Sequence, residues 1–271
     1  MRADRHLGQH FLVDPDIFRT LADWALESLH SVDVLEIGPG PGGLTLSLLE
    51  RGASVTALEI DRRVQPLLTA LAGEYPGRLQ VLWTDAVTAA WGGIQNGLGL
   101  SRPLRIVGNL PYYVTSPLLA KLWEDDVVWD WAVVMVQKEV ADRLAAPPGT
   151  RATSALSVML RYSGRVERVA AIPPEAFLPR PEVVSAVVQL RRVKPPAVAR
   201  EHFHWVVRAG FRHRRKMLRQ ALAKETGSPW DSRTWSREMT RAGIDPAKRA
   251  EALTWEEWVL LAQIFSGLGL K

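Results

Sequence analysis

Residues 104–113 run Leu-Arg-Ile-Val-Gly-Asn-Leu-Pro-Tyr-Tyr. The apolar start reads as a short buried strand, and it ends in groups with chemical use. Asn109 offers an amide oxygen that accepts a hydrogen bond. Leu110 precedes a proline and is pushed toward extended backbone. Pro111 has no N–H, so its main chain presents only a carbonyl acceptor. Tyr112 supplies a flat ring for stacking. Two acceptors beside an aromatic plane suit a planar heterocycle with an exocyclic amine. Such an amine is a poor nucleophile because its lone pair is delocalised into the ring. Gripping its two hydrogens favours a pyramidal nitrogen and aims the lone pair at an electrophile.

Other predicted strand ends carry polar groups as well. Gly38-x-Gly40-x-x-Gly43 falls between a strand and a helix, where a nucleotide loop belongs. Glycines let the main chain pass close to a ligand, and the following helix N-terminus favours negative charge. Glu36 stands just before the loop, placed to organise it or the cofactor beside it. Glu59 ends the next strand, where a carboxylate takes both hydroxyls of a ribose. Asp85 ends the third strand and suits either an adenine amine or a helix N-cap. This set fits a dinucleotide and a methyl-donor nucleoside alike. Polar groups at four successive strand ends mark the carboxyl edge of an open α/β sheet, where ligands bind.

The elements that hold these groups follow an alternating pattern. Strands are predicted at 32–37, 54–60, 79–83, 104–109, 131–136, 164–171 and 183–191. The last two should form a hairpin at one edge. Helices are expected after Gly43, over 62–72, over 117–125 with Ser116-Pro117 as its cap, after Glu139, and near 153–161. Asp14-Pro15 reads as an N-cap with Pro at the first helical position. A glycine-rich loop is expected near 92–102. This alternation predicts a twisted, mostly parallel sheet with helices on both faces. Lys194-Pro195-Pro196-Ala197 reads as a linker. Beyond it the strand signals stop, and Thr254-Trp255-Glu256-Glu257 is a capping box for a last helix. The expected domains are 1–194 and an all-helical 200–271.

Composition fits this organisation. The 271 residues are 47% hydrophobic and 23% charged, ordinary for a globular protein. There is no cysteine, which excludes disulfides, cysteine-ligated zinc and thiol catalysis. No signal peptide and no apolar span of membrane length are seen, so a cytoplasmic protein that does not enter membranes is expected. The net charge of +5 is modest but unevenly placed. Arg208–Arg219 holds six Arg or Lys and no acid, with Leu218 and Leu222 facing inward. Six cations without a counter-charge repel one another, and phosphate relieves that. RNA backbone is therefore the expected partner of Arg212, Arg214, Arg215 and Lys216.

Taken together, these motifs resemble the rRNA adenine dimethyltransferases of the KsgA type. The resemblance rests on Gly8-Gln9-His10-Phe11-Leu12, Glu36-Ile37-Gly38-Pro39-Gly40, Asn109-Leu110-Pro111-Tyr112, Gln137-Lys138-Glu139-Val140-Ala141 and Phe177-x-Pro179-x-Pro181. Val183-x-Ser185-Ala186-Val187 and Phe211-x-x-Arg214-Arg215-Lys216-x-Leu218 extend it into the C-terminal region. It implies an α/β fold, a Rossmann-like S-adenosylmethionine-dependent methyltransferase sheet, plus a small all-α C-terminal domain. It also implies dimethylation of two adjacent adenines in a hairpin near the 3′ end of small-subunit rRNA, with a role in ribosome assembly. The implied partner is that rRNA or a pre-assembled small subunit, met by a monomer. By the same resemblance, His10, Leu12, Glu36, Gly38, Gly40 and Asn109 face the methyl donor, Glu59 its ribose and Asp85 its adenine. Asn109 binds the target amine beside the Leu110 and Pro111 main chain. Tyr112 and Phe177 sandwich the flipped base.

Three positions depart from the family pattern. His10 stands where Asn is frequent, Thr153-Ser154-Ala155-Leu156-Ser157 replaces Tyr-Gly-x-Leu-Ser, and Gln220 stands where Asn is usual. The rival readings are an NAD-dependent oxidoreductase, a large-subunit rRNA adenine methyltransferase of the macrolide-resistance type, and a non-enzymatic ribosome-assembly factor. The first has no use for Asn-Leu-Pro-Tyr or the basic run. The long basic C-terminal region favours the small-subunit target over the second. Intact Glu59, Asp85 and Asn109 oppose the third.

Overall fold

The structure, a computed structural model, describes residues 9–27, 29, 31–100 and 103–267. Gly8 of the first family motif lies outside the described residues, as does the basic stretch before it. The chain divides into two compact units.

The first unit is built on a seven-stranded sheet. Its strands are β2 (Asp33–Ile37), β3 (Ser54–Glu59), β4 (Leu79–Trp83), β5 (Leu104–Asn109), β6 (Trp129–Gln137), β7 (Gly164–Ile172) and β9 (Ser185–Arg192), in the order β4-β3-β2-β5-β6-β9-β7. From β4 to β6 all neighbours are parallel, and β9 runs antiparallel to β6. Val34, Leu35, Ile106, Val107 and Ala132–Val136 are all buried, as expected for strands covered on both faces. The order reverses between β2 and β5, and the ligand crevice of such a sheet opens at that switch. The expected pairing of the last two long strands holds, because β7 and β9 are neighbours at one edge.

Helices α1 (Pro15–Leu26), α2 (Gly43–Glu50), α3 (Gln65–Glu74), α4 (Trp91–Gly97) and α5 (Thr115–Glu124) connect or precede these strands. The Asp14 carboxylate caps α1, accepting N–H bonds from Asp16 at 2.9 Å and Ile17 at 3.4 Å. The Trp131 indole N–H donates to the Trp24 carbonyl at 2.8 Å, tying α1 to the sheet.

Two local expectations are corrected. Helix α4 replaces much of the predicted loop near 92–102. Its start is capped from a distance: Asp125 accepts the N–H groups of Trp91 at 2.8 Å and Gly92 at 3.0 Å. Helix α5 begins at Thr115 rather than behind a Ser116-Pro117 cap. The Thr115 hydroxyl instead donates to the Pro111 carbonyl at 3.0 Å.

One element has no counterpart in the sequence pattern. Strands β1 (Phe11–Leu12) and β8 (Phe177–Leu178) form a small antiparallel ribbon, with Leu12 opposite Phe177. It holds the segment after residue 8 against the rest of the first unit.

Helix α6 (Lys138–Ala145) carries the chain into the second unit, which continues through α7 (Ala155–Ser163). The second unit resumes at Val193 with α8 (Arg200–Arg212), α9 (Leu218–Lys224), α10 (Ser232–Arg241) and α11 (Trp255–Phe265). The sequence pattern places residues 142–164 with the sheet, whereas in the fold they cluster with the helices. The cause is side-chain packing: the Tyr162 ring lies 5.0 Å from that of Phe203, and its hydroxyl donates to the Val198 carbonyl at 2.8 Å. The altered 153–157 segment is a helix start, with Ser154 and Ser157 forming a reciprocal capping box. The expected box at Thr254 and Glu257 starts α11. Trp235, Trp258, Phe203 and Leu261 are fully buried and form this unit's interior.

Candidate active site at the carboxyl edge of the sheet

The ends of β2, β3, β4 and β5 converge on one cavity of about 410 Å³. Its lining includes His10, Leu12, Glu36, Gly38, Gly40, Glu59, Asp85, Asn109, Leu110, Pro111 and Tyr112. Chain folding thus gathers every sequence-predicted residue of the first unit but one.

The exception is Phe177. It is 3% exposed, sits among core residues in β8 and does not line the cavity. Pairing with β1 carries its side chain inward, and Leu178 takes the exposed position. In this structure the ring beside Tyr112 is instead His10, stacked at 5.5 Å between centroids and 26° between planes. The other end of Tyr112 is fixed by Ser185, oxygen to oxygen 2.6 Å. Burial pushes the phenol pKa upward.

Asn109 sits at the end of β5, half-buried. Its amide nitrogen donates to the His10 carbonyl at 3.0 Å. A carbonyl only accepts, so this contact fixes which way the amide faces and leaves Oδ1 as an acceptor. Leu110 N–H donates to the Met135 carbonyl at 3.0 Å, which anchors the turn to β6. The Pro111 carbonyl is already engaged, by Val114 N–H at 3.1 Å and by Thr115. Both of these contacts use the Pro111 carbonyl inside the turn.

The glycine loop and Glu59 are built together. Gly40 takes φ +54°, a region that favours glycine, and a Cβ there would meet the Phe11 ring at 3.3 Å. Its N–H donates to Glu59 Oε2 at 3.0 Å, while Asp61 N–H donates to Oε1 at 2.7 Å. Burial raises the Glu59 pKa, and these N–H donors oppose the shift. Glu36 is 1% exposed and accepts from the Thr45 hydroxyl at 2.7 Å. Burial, with the Glu59 charge as a smaller contributor, pushes its pKa up to about 7. Asp85 Oδ1 accepts Val87 N–H at 2.8 Å, and the residue lines the cavity.

Sequence reasoning missed several supports. Asp61 accepts from Arg63 at 2.7 and 2.8 Å and from Gln9 at 2.8 Å, so it fastens the entry segment to the end of β3. The Arg63 contact holds the Asp61 carboxyl well below the usual carboxylate range. His10 Nδ1 lies 2.8 Å from the Pro179 carbonyl, so that nitrogen carries the proton. Gly108 had a legible signal, an isolated glycine inside a strand. A Cβ there would lie 2.7 Å from the Ile37 carbonyl oxygen. Gly108→Ala is expected to force β2 and β5 apart, with a stability loss of about 1–3 kcal/mol in thermal melts and a displaced Asn109.

The basic run lies in the second unit and is not one helix. It spans the end of α8, a turn at 213–217 and the start of α9, where Leu218 N–H is pinned to the Lys248 carbonyl at 2.8 Å. Nor does it lack counter-charges. Arg212 pairs with Glu225 at 2.8 Å, and Arg214 with Glu251 at 3.6 Å. Arg215 is exposed, and Lys216 lies beside Lys224, which pushes its pKa down.

An open sheet of this order, with acids at the ends of β2 and β3 and an Asn-Leu-Pro-Tyr turn after β5, defines an S-adenosylmethionine-dependent methyltransferase. Comparison with solved structures agrees. A Plasmodium falciparum dimethyladenosine transferase shares the fold, with TM-score 0.75, 24% identity and coverage of 95% of this chain and 98% of that one. A 23S rRNA methyltransferase, ErmE, matches with TM-score 0.69, 26% identity and coverage of 94% and 99%. The family model for ribosomal RNA adenine dimethylase matches residues 1–266, and the chain belongs to that family. A ribosomal RNA small subunit methyltransferase A from Magnetococcus marinus is 40% identical over 96% of this chain and 90% of its own length. The protein of the same name from Halothermothrix orenii is 36% identical over 97% and 88%. The chain is an rRNA adenine dimethyltransferase with S-adenosylmethionine as methyl donor, and the oxidoreductase reading is set aside.

Proposed function

We propose that the chain dimethylates the exocyclic amines of two adjacent adenines in a hairpin near the 3′ end of small-subunit rRNA. The curated relatives at 36–40% identity carry the small-subunit name, which supports that target over the large subunit. The proposal includes work in the cytoplasm, on RNA that is being assembled into ribosomes.

The observation that carries the mechanism is the orientation of Asn109. Its nitrogen is held by His10, so its oxygen faces the amine beside the Leu110 main chain. The residues lining the cavity fit the methyl donor: Gly38, where a Cβ would meet nothing within 4 Å, leaves the main chain open to a ligand, and Glu59 and Asp85 would take ribose and adenine. The N-terminus of α2 has no side-chain cap. When bound, S-adenosylmethionine supplies a methyl group on a sulfonium, an electrophile that needs no metal or strong base. Asn109 and the Leu110 main chain would hold the target amine facing that methyl group, the orientation that such a transfer needs. The proton that the amine loses would pass to water. Extracting the base from its stack costs a few kcal/mol. Stacking on Tyr112 offsets roughly 1–3 kcal/mol of that.

The test uses small subunits lacking this modification, the purified chain and tritiated S-adenosylmethionine. Label should enter small-subunit RNA, and primer extension should stop at two neighbouring adenines. Label confined to large-subunit RNA would overturn the target.

A further inference from the structure

The second unit carries a shallow basic groove that the 212–216 run does not include. Helices α9 and α10 border a groove of about 730 Å³ lined by Arg219, Arg233, Arg237 and Arg241, with the hydroxyls of Ser232 and Ser236 beside them. On a helix of 3.6 residues per turn, the three α10 arginines fall one turn apart on one face. That face lies roughly opposite the buried pair Trp235 and Met239. Helix α10 thus has one side in the core and the other lined with guanidinium groups.

Two acids temper this charge. Glu238 accepts from both Arg237, at 2.9 Å, and Arg241, at 3.4 Å. Asp231 caps α10 through Thr234 N–H at 2.8 Å and lies near Arg233. Four guanidiniums against two carboxylates leave a surplus of two positive charges in one groove. An ordinary solvated helix face is convex and mixes signs. Here the cations border a shallow, open groove and alternate with hydroxyl donors. Phosphate contacts draw on those donor types, Arg with Ser and Thr.

We propose that the α9–α10 groove binds the phosphate backbone of ribosomal RNA, as a contact separate from the 212–216 turn. The inference rests on the reading of this chain as an rRNA methyltransferase and extends the RNA surface beyond the motif residues. The groove has guanidiniums and hydroxyls to hold the backbone and no aromatic ring on which a base could stack. Glu238 holds two of the four arginines when the groove is empty of RNA and releases them to phosphate.

The test measures the dissociation constant of the full chain for undermethylated small subunits and for a naked 3′-region rRNA fragment, over a series of salt concentrations. Arg233→Glu with Arg237→Glu should weaken both by about tenfold or more. It should also flatten the log–log salt slope by about 0.7–0.9 for each phosphate no longer neutralised. Cofactor affinity and the thermal melt should not change. Glu238→Gln should tighten binding a few-fold, and a variant of this kind does not depend on charge reversal. An unchanged slope in a wild-type background that methylates normally overturns the groove alone. Weakened binding to subunits but not to naked RNA points to an acidic ribosomal protein and also overturns it. A wild-type chain that fails to methylate any rRNA overturns the reading beneath it.

Discussion

Asn109→Ala is expected to lower methyl transfer by about 10²–10³-fold, the scale at which removing one positioning hydrogen bond slows a reaction. Cofactor affinity should stay within a few-fold. The acids at β2, β3 and β4 are untouched by the change, and Glu59 keeps its N–H donors from Gly40 and Asp61. What disappears is one acceptor for the amine and the tether to the His10 carbonyl. Asn109→Asp should fail as well, because a carboxylate oxygen would then face that carbonyl oxygen. Single-turnover transfer of tritiated methyl groups, beside calorimetry with S-adenosylmethionine, separates the two effects. Near-normal single-turnover rates in either variant would remove Asn109 from its proposed role.

The rim was readable from sequence for a physical reason. A buried parallel strand is a short apolar run, so a polar residue at its carboxyl end stands out, as at Glu59, Asp85 and Asn109. The mostly parallel sheet with helices between its strands followed from the same runs, whereas the strand order emerges only in the fold. Phe177 was not readable in this way. Its burial depends on a two-residue ribbon formed with Phe11–Leu12, far away in sequence and too short to give a period. The basic run misled for a related reason. Its missing acids are Glu225 and Glu251, which only folding brings to Arg212 and Arg214. Helix α4 escaped because its cap, Asp125, lies beyond β5. The guanidinium face of α10 was legible as an i, i+4, i+8 pattern, but only packing of α9 beside it makes a groove.

Glu36 sets a second large expectation, in stability rather than rate. Its carboxyl is almost fully buried, accepts the Thr45 hydroxyl and faces the charge of Glu59. The folded-state pKa is pushed to about 7 from an ordinary 4.5. Below 4.5 both folded and unfolded chains hold the proton, and the stabilisation is present in full. As pH rises toward 7 the unfolded chain has lost its proton while the folded chain still binds one. Stability therefore falls through this window, by about 3 kcal/mol in all at roughly 1.4 kcal/mol per pKa unit. That is a large share of the total of about 5–15 kcal/mol typical of a domain. Glu36→Gln removes the charge but keeps an oxygen for Thr45. Denaturant unfolding should therefore show the variant gaining on the wild type between pH 5 and pH 8. Glu59 is raised in the same direction and is present in both chains, so its contribution largely cancels in the comparison. Parallel stability curves for the two proteins would mean that Glu36 is already ionised in the folded state, with its charge met by a partner other than Thr45.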